Sequence, residues 1–422
     1  MQRHMNAEAP TKAQNLTEAL NRFDPERPLH TQGELEQFSV DRSNSPVEGI
    51  RILFEVSDRP EKLLFSGHRG SGKSTELARL RRRLSDDFRV IEFSVMNELD
   101  LFELQYVDVL LGLALELAEL ATEEDLDVKE EVLEEVFHFT REVTKEVQLE
   151  EREGADVNAK LNAYVVSLSS KLKAEDVTRR TVRETITRRI SDLLDSIRLL
   201  TKEIERVIGK RLLVVIDDID KVDLATAKSM FHEHASTLSE PPLSIIYTYP
   251  MPLRHDNSFQ QVKNSFPNEE FLPNIKTQNR DGEPFEPGLQ TTEKIVTKRL
   301  EDDLIEEDAL DEMAKLSSGV PRQLVMLARR ACLESLKNGR DIIDTEAVQA
   351  AANKQRNEYE VLLDRSQREL LKEVRENKDI NNDDAHRELL HNLSVLKYEN
   401  DDVWYDVHPI VLPLIETDEE SD

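Results

Sequence analysis

Apolar positions along the chain change their period several times, and each change marks an element. KLLFSG (62–67) and RVIEFSV (89–95) are short, largely apolar runs, and RLLVVIDDID (211–220) and LSIIYTYP (243–250) open as apolar runs rich in β-branched residues. Runs of this kind suit strands covered on both faces of a parallel sheet. Between them apolar residues recur three and four apart, at Leu77, Leu80 and Leu84 after the first run and through a nearly continuous apolar helix over 101–121. Strands alternating with helices predict a doubly wound α/β core.

From Val182 the apolar positions Ile186, Ile190, Leu193, Ile197, Leu200, Ile204 and Val207 step by four and three, as in a coiled-coil seam. An earlier stretch with Val132, Val136, Phe139, Val143 and Val147 has the same spacing. Residues 122–208 are therefore expected to form a helical hairpin inserted in the core, with 159–173 as its tip. It serves either as an ordinary covering pair or as a docking surface for a partner. Prolines at 10, 25, 28 and 46 predict a loosely ordered segment over 1–45. Six more prolines between 250 and 290 predict a loop region with little helix, in which FLPNIK (271–276) adds a short strand and NRDGEP (279–284) a turn. Residues 46–290 thus form the α/β core. Helical spacing returns over 291–357. Residues 358–415 read as helices followed by a two-stranded wing, in which polar 399–402 separates LKY from VWYDV, and 416–422 form an acidic tail.

With 422 residues, 38% of them hydrophobic, the chain can bury a substantial core. The longest apolar stretch carries Asp108, Glu116 and Glu119, so no bilayer span is expected, and the N-terminus lacks an apolar signal core. The single cysteine, Cys332, excludes an internal disulfide, which fits a reducing cytoplasm. A net charge of −30 opposes long-range attraction to nucleic acid.

The chain has only 12 glycines, yet three of them, Gly67, Gly70 and Gly72, fall in GHRGSGKST (67–75), between the first strand and a helix. Gly67, Gly72, Lys73 and Ser74 meet the G-x-x-x-x-G-K-[ST] pattern. In such a loop the main-chain N–H groups of Gly67, His68, Arg69, Gly70, Ser71, Gly72, Lys73, Ser74 and Thr75 point inward at phosphate oxygens, and the helix adds its positive end. The Lys73 ammonium is expected to reach the β- and γ-phosphates and the Ser74 hydroxyl to bind Mg²⁺. Magnesium also needs a carboxylate at the end of a neighbouring strand. Asp217, directly after the apolar run 212–216, is expected to supply it, with Asp218 orienting the attacking water. An Asp there is shorter than the Glu of strong hydrolases, so turnover is expected to be slow.

These residues, together with the strand IIYTYP and the later KRL and SSGVPRQL segments, resemble the AAA+ and STAND group of P-loop ATPases over roughly 45–355. The resemblance implies an additional-strand sheet, a helical lid over 291–357, ATP and Mg²⁺ as cofactors, and assembly as a homo-oligomer. It implies a γ-phosphate sensor at Thr248, with Tyr247 and Tyr249 as alternatives. The GxPR pattern, met by Gly319, Pro321 and Arg322, would start a lid helix and turn Arg322 toward the γ-phosphate. Arg299 is a weaker candidate for a finger reaching a neighbouring subunit. The resemblance further implies a winged helix after the lid. Residues 356–422 carry 8 Lys or Arg against 19 Asp or Glu, a net of −11, which suits protein docking or autoinhibition better than DNA reading. Trp404 and Tyr405 are expected to anchor this module, and His408 to be a packed core histidine. The reading is an ATP-dependent signalling or anti-phage switch acting on a separate effector protein through the winged helix and the hairpin; a DNA-loading ATPase of initiator type is the alternative.

Overall fold

Four of the apolar runs pair side by side. The computed structural model describes residues 10–99, 103–124, 126–145, 176–399 and 402–416. In it β1 (Lys62–Gly67), β2 (Phe88–Ser94), β3 (Arg211–Asp217), β4 (Ser244–Thr248) and β5 (Asn268–Leu272) form a five-stranded parallel sheet in the order β2-β3-β4-β1-β5. β4 is inserted between β1 and β3, the additional-strand arrangement expected. Its register sets Leu64 opposite Tyr247 and Val215 opposite Ile246. The fifth strand runs only two residues into FLPNIK, to Phe271 and Leu272; Pro273 has no N–H to continue the ladder.

By contact density the chain divides into two compact units, residues 49–66 with 81–270 and residues 1–48, 67–80 and 271–422. In the first, Leu212–Ile216 of β3 are wholly buried. Helix Ile190–Ile208 lays Leu193, Ile197, Leu200 and Ile204 into the same core as Leu110, Leu113 and Leu117 of helix Tyr106–Glu123. The seam is therefore the inner face of a covering helix, and Leu133, Val136 and Phe139 of helix Glu130–Lys145, the expected partner stretch, share its core. It is also interrupted, because Arg189 (φ −119°, ψ 29°) separates helix Asp176–Arg188 from helix Ile190–Ile208. The expected tip, 159–173, lies outside the described residues. Helix Asp176–Arg188 is fastened by a buried bidentate pair: Arg183 Nε and Nη2 donate to Asp108 Oδ1 and Oδ2 at 2.9 and 2.7 Å. Burial raises the Asp108 carboxyl even against that guanidinium. Between β4 and β5 lie two short helices, Met251–Arg254 and Phe259–Ser265, where the prolines had suggested loop; Pro252 falls in a first turn, where no N–H is missed.

The second unit begins with helices Leu16–Arg22 and Gln32–Phe38, against the expectation of a loose 1–45 segment. Their caps explain them: Asn15 accepts from the Glu18 N–H, and Thr31 with Glu34 forms a capping box. Ala13, Leu16, Ala19 and Phe23 join the lid core with Leu324, Ala328 and Ala331. The lid helices are Glu286–Thr297, Glu307–Leu316, Pro321–Lys337 and Thr345–Leu362; the first starts five residues before the expected boundary at 291. Helices Arg365–Asn377 and Asp384–His391 follow, then antiparallel β6 (Val395–Glu399) and β7 (Val403–Val407), the expected wing. Trp404 stacks on Tyr398 at 4.1 Å, and His408 is a packed histidine whose Nδ1 accepts from the Ile410 N–H, its pKa pulled down to about 4 by burial. The described part of the acidic tail ends at Glu416, so 417–422 lie outside the described residues.

Arg183→Met leaves the Asp108 carboxylate buried without its partner. We expect a loss of about 3–5 kcal/mol in urea unfolding, whereas changing both partners to apolar residues should cost less.

Candidate functional site

The phosphate-loop residues leave β1 at Gly67 and enter helix Lys73–Leu84. Ser71 N–H donates to the His68 carbonyl at 3.1 Å and Glu76 N–H to that of Gly72 at 3.0 Å, closing the turn and opening the helix. Gly70 (φ +83°) and Gly72 (φ +97°) are left-handed, a conformation that disfavours side chains. A Cβ on Gly70 would lie 2.6 Å from Cβ of Arg322, and one on Gly67 2.7 Å from the Leu272 carbonyl oxygen. The concentration of glycine in this stretch thus has a steric cause on both counts. Lys73 is 6% exposed, and its Nζ donates to the Gly67 and His68 carbonyls at 3.0 and 3.1 Å, so the ammonium lies against the loop's own backbone. Ser71 is buried, Ser74 and Thr75 half-buried, and Arg69 exposed. The ring of His68, 1% exposed, meets Phe271 edge-on at 6.4 Å.

The N-terminal segment fastens the loop from outside. Arg42 donates through Nη1 to the Ser71 carbonyl at 2.6 Å and through Nη2 to that of Pro273. Burial draws its guanidinium down to about 10, with Glu76 acting in the opposite sense. Leu29 N–H donates to Thr75 Oγ1 at 3.3 Å, and Ser45 Oγ to Glu76 at 2.6 Å. Sequence reasoning missed all of these, since an isolated arginine in a proline-punctuated stretch carries no periodic signal.

Pro321 opens its helix as the GxPR pattern predicts, and Arg322 does reach the loop, but through its main chain: its N–H donates to the Gly70 carbonyl at 3.1 Å. Its guanidinium pairs with Glu26, a competing partner that the sequence reading did not contain. Arg299 is a correction. Only 7% exposed, it donates to the Ile295 carbonyl at 2.6 Å and lies 5.3 Å from the Phe38 ring centroid, engaged within its own unit rather than presented to a neighbour.

In the sheet unit Asp217 closes β3, and its Oδ1 accepts from the Asp218 N–H at 2.8 Å. Asp218 is itself left-handed (φ 72°), which turns its carboxylate toward Ser94 Oγ and Lys221 Nζ, both at 2.6 Å. Ser94, opposite Asp217 in the register, is a polar neighbour that the sequence did not flag. Carboxylate oxygens of Asp217, Asp218 and Asp220 lie within 4.8 Å of one another, an all-oxygen donor set of the kind a hard divalent cation takes. Thr248 Oγ1 donates to the Ile216 carbonyl at 3.3 Å, on the Asp217 side. Tyr247 and Tyr249 turn their hydroxyls to the Leu238 carbonyl and to Glu269, both at 2.8 Å, and burial raises both phenols. Of the three sensor candidates, only Thr248 thus has its hydroxyl beside the acidic strand end.

No family model matches the chain, and no curated protein does. Among solved structures it is similar to the Orc1 protein of Aeropyrum pernix in complex with DNA, at 13% identity and TM-score 0.42 over 90% of this chain and 94% of that one. It is similar to the Orc2 protein of the same organism in ADPNP–ADP complexes, at 12% identity and TM-score 0.44 over 95% and 98%. A Walker-type ATPase of Pyrococcus abyssi is similar at 17% identity and TM-score 0.42 over 94% and 99%. Likeness of this degree assigns neither activity nor partner. No helix among the described residues is long and apolar enough to cross a membrane.

Gly70→Ala forces a side chain into a left-handed residue and into Arg322. It should lower thermal stability by several degrees, read by calorimetry, and Arg322→Ala in the same chain, which keeps the Cβ that the new methyl meets, should recover little of the loss.

Proposed function

We propose that the chain is an Mg²⁺-dependent ATP-binding switch of AAA+ or STAND type that hydrolyses ATP slowly and controls a separate effector protein, in a bacterial or archaeal signalling or anti-phage setting. The observation that carries the reading is the glycine-enforced loop 67–75 running into helix Lys73–Leu84 with Lys73 folded against it. A loop of this shape offers amides to a polyphosphate, and a lysine there offers the matching charge. In this reading Ser74 and Asp217 hold Mg²⁺, which shields the charge of neighbouring phosphates. Asp218 orients water, and its shared hold on Ser94 and Lys221 supports slow turnover, because a base already engaged must be released to act. Thr248 senses the γ-phosphate and Arg322 reports the lid.

The winged module is proposed to dock protein. Seven of the eight cations of residues 356–422 are engaged inside the chain: Arg375 and Lys378 on Asp406, Lys397 on Glu399, Arg387 on Asp384, Lys372 on Glu369, Arg356 on the Ile410 carbonyl and Arg368 on the Glu360 carbonyl. Phosphate binding would compete with each of these. The chain is further proposed to work as a homo-oligomer in the cytoplasm.

Lys73→Ala should weaken ATP binding by roughly 100-fold or more, measured by isothermal titration. Asp217→Asn should bind ATP but lower phosphate release by on the order of 100-fold. Duplex DNA should leave turnover of the parent unchanged; a many-fold rise would favour a loading ATPase instead.

A further inference from the structure

The second position of the 67–75 loop is occupied by a residue whose ring is hydrogen-bonded to the wing. His68 Nε2 accepts a 2.7 Å hydrogen bond from the main-chain N–H of Lys397 in β6. β6 pairs with β7 along one edge, and Lys397 stands opposite Tyr405 there, so this N–H belongs to the outer edge of the wing. With Nε2 accepting, the neutral ring carries its hydrogen on Nδ1. Phe271 fills the space between: its ring meets His68 edge-on, and the Lys397 ammonium lies 4.6 Å from its centroid while pairing with Glu399 at 2.6 Å.

The same wing strand also grips the lid turn. The Tyr398 and Ser318 hydroxyls are hydrogen-bonded, and Val320 is buried with Leu393, Leu396, Tyr398 and Trp404. Two residues later the Arg322 N–H returns to the loop at Gly70. Loop to wing, wing to lid turn, and lid turn to loop thus form a closed ring of contacts with His68, Tyr398 and Arg322 at its three joints. Distortion at one joint is carried to the other two, because none of the three is free to relax alone.

We propose that His68 is a positioning residue that couples the shape of the phosphate loop to the docking of the wing. It touches no substrate in this role. It acts through the loop: a wing held on His68 fixes one loop geometry, and a wing displaced by a partner releases it. By reciprocity, whatever ATP does to wing docking, wing displacement does to ATP affinity. The proposal rests on the ATP reading above for its ligand, though the His68–Lys397 contact exists without nucleotide.

Two polar variants of the full chain separate the possibilities. His68→Gln places an amide oxygen near the position of Nε2 and keeps an acceptor for Lys397; His68→Asn is too short to reach it. Amide exchange of β6, followed by mass spectrometry without nucleotide, should be at least about five-fold faster in His68→Asn and near parental in His68→Gln. Equal β6 exchange in His68→Asn and the parent overturns the joint itself, whether or not the chain binds ATP. With Mg²⁺-ATP added, β6 exchange should change in the parent and in His68→Gln. In His68→Asn it should not respond, and the ATP dissociation constant should shift at least about five-fold with kcat less affected. A purely structural histidine would instead leave the nucleotide response of β6 intact, and that result overturns the coupling. Failure of the ATP reading itself shows separately, as a parent that binds no ATP in the same titration.

Discussion

Close approach of backbone to backbone is the constraint on which the rest of this molecule turns. A loop that turns this tightly has no room for a side chain at every position: at Gly67 and Gly70 the space a methyl group would need is already filled by Leu272 and Arg322. The loop's shape is imposed from both sides: from within by left-handed glycines and the Lys73 contacts, from without by Arg42, the lid turn and the wing. Such a loop is organised before any ligand arrives, which lowers the ordering cost of binding.

Much of this could be read in the sequence because its signals are local. Short apolar runs, two of them rich in β-branched residues, marked four of the five strands, and the glycine spacing with Lys73 and Ser74 marked the loop. The family resemblance implied a helix start at Pro321, and Trp404 was expected in the wing core; both hold. What escaped depends on pairs far apart in the chain. Arg42 and Ser71, Glu26 and Arg322, Ser94 and Asp218 are each joined only by the fold, and neither partner's type or spacing announces the other. The N-terminal segment was misjudged for a related reason. Its prolines suggested looseness, whereas two side-chain caps and burial of Leu16, Ala19 and Phe23 outweigh them. The seam over 182–207 is helical and shares its core with the expected neighbour, the helix that holds Val136 and Phe139; that helix Tyr106–Glu123 covers it too was not legible, since periodicity states that a face is apolar and not everything that covers it.

Charge tells a similar story at larger scale. An excess of 30 negative charges might suggest a uniformly acidic surface, yet cations are placed where individual carboxylates would otherwise stand uncompensated, as with Arg375 and Lys378 on the buried Asp406. The acidic excess therefore governs how the chain meets other molecules at a distance, while these pairs govern how the wing holds together.

One detail of the wing has a practical side. The chain contains a single tryptophan, and the indole of Trp404 lies face to face with Tyr398, whose hydroxyl meets the turn before Pro321. Nature has in effect installed one fluorophore at the joint between β7 and the lid, so the protein carries its own optical gauge of that junction and needs no added dye.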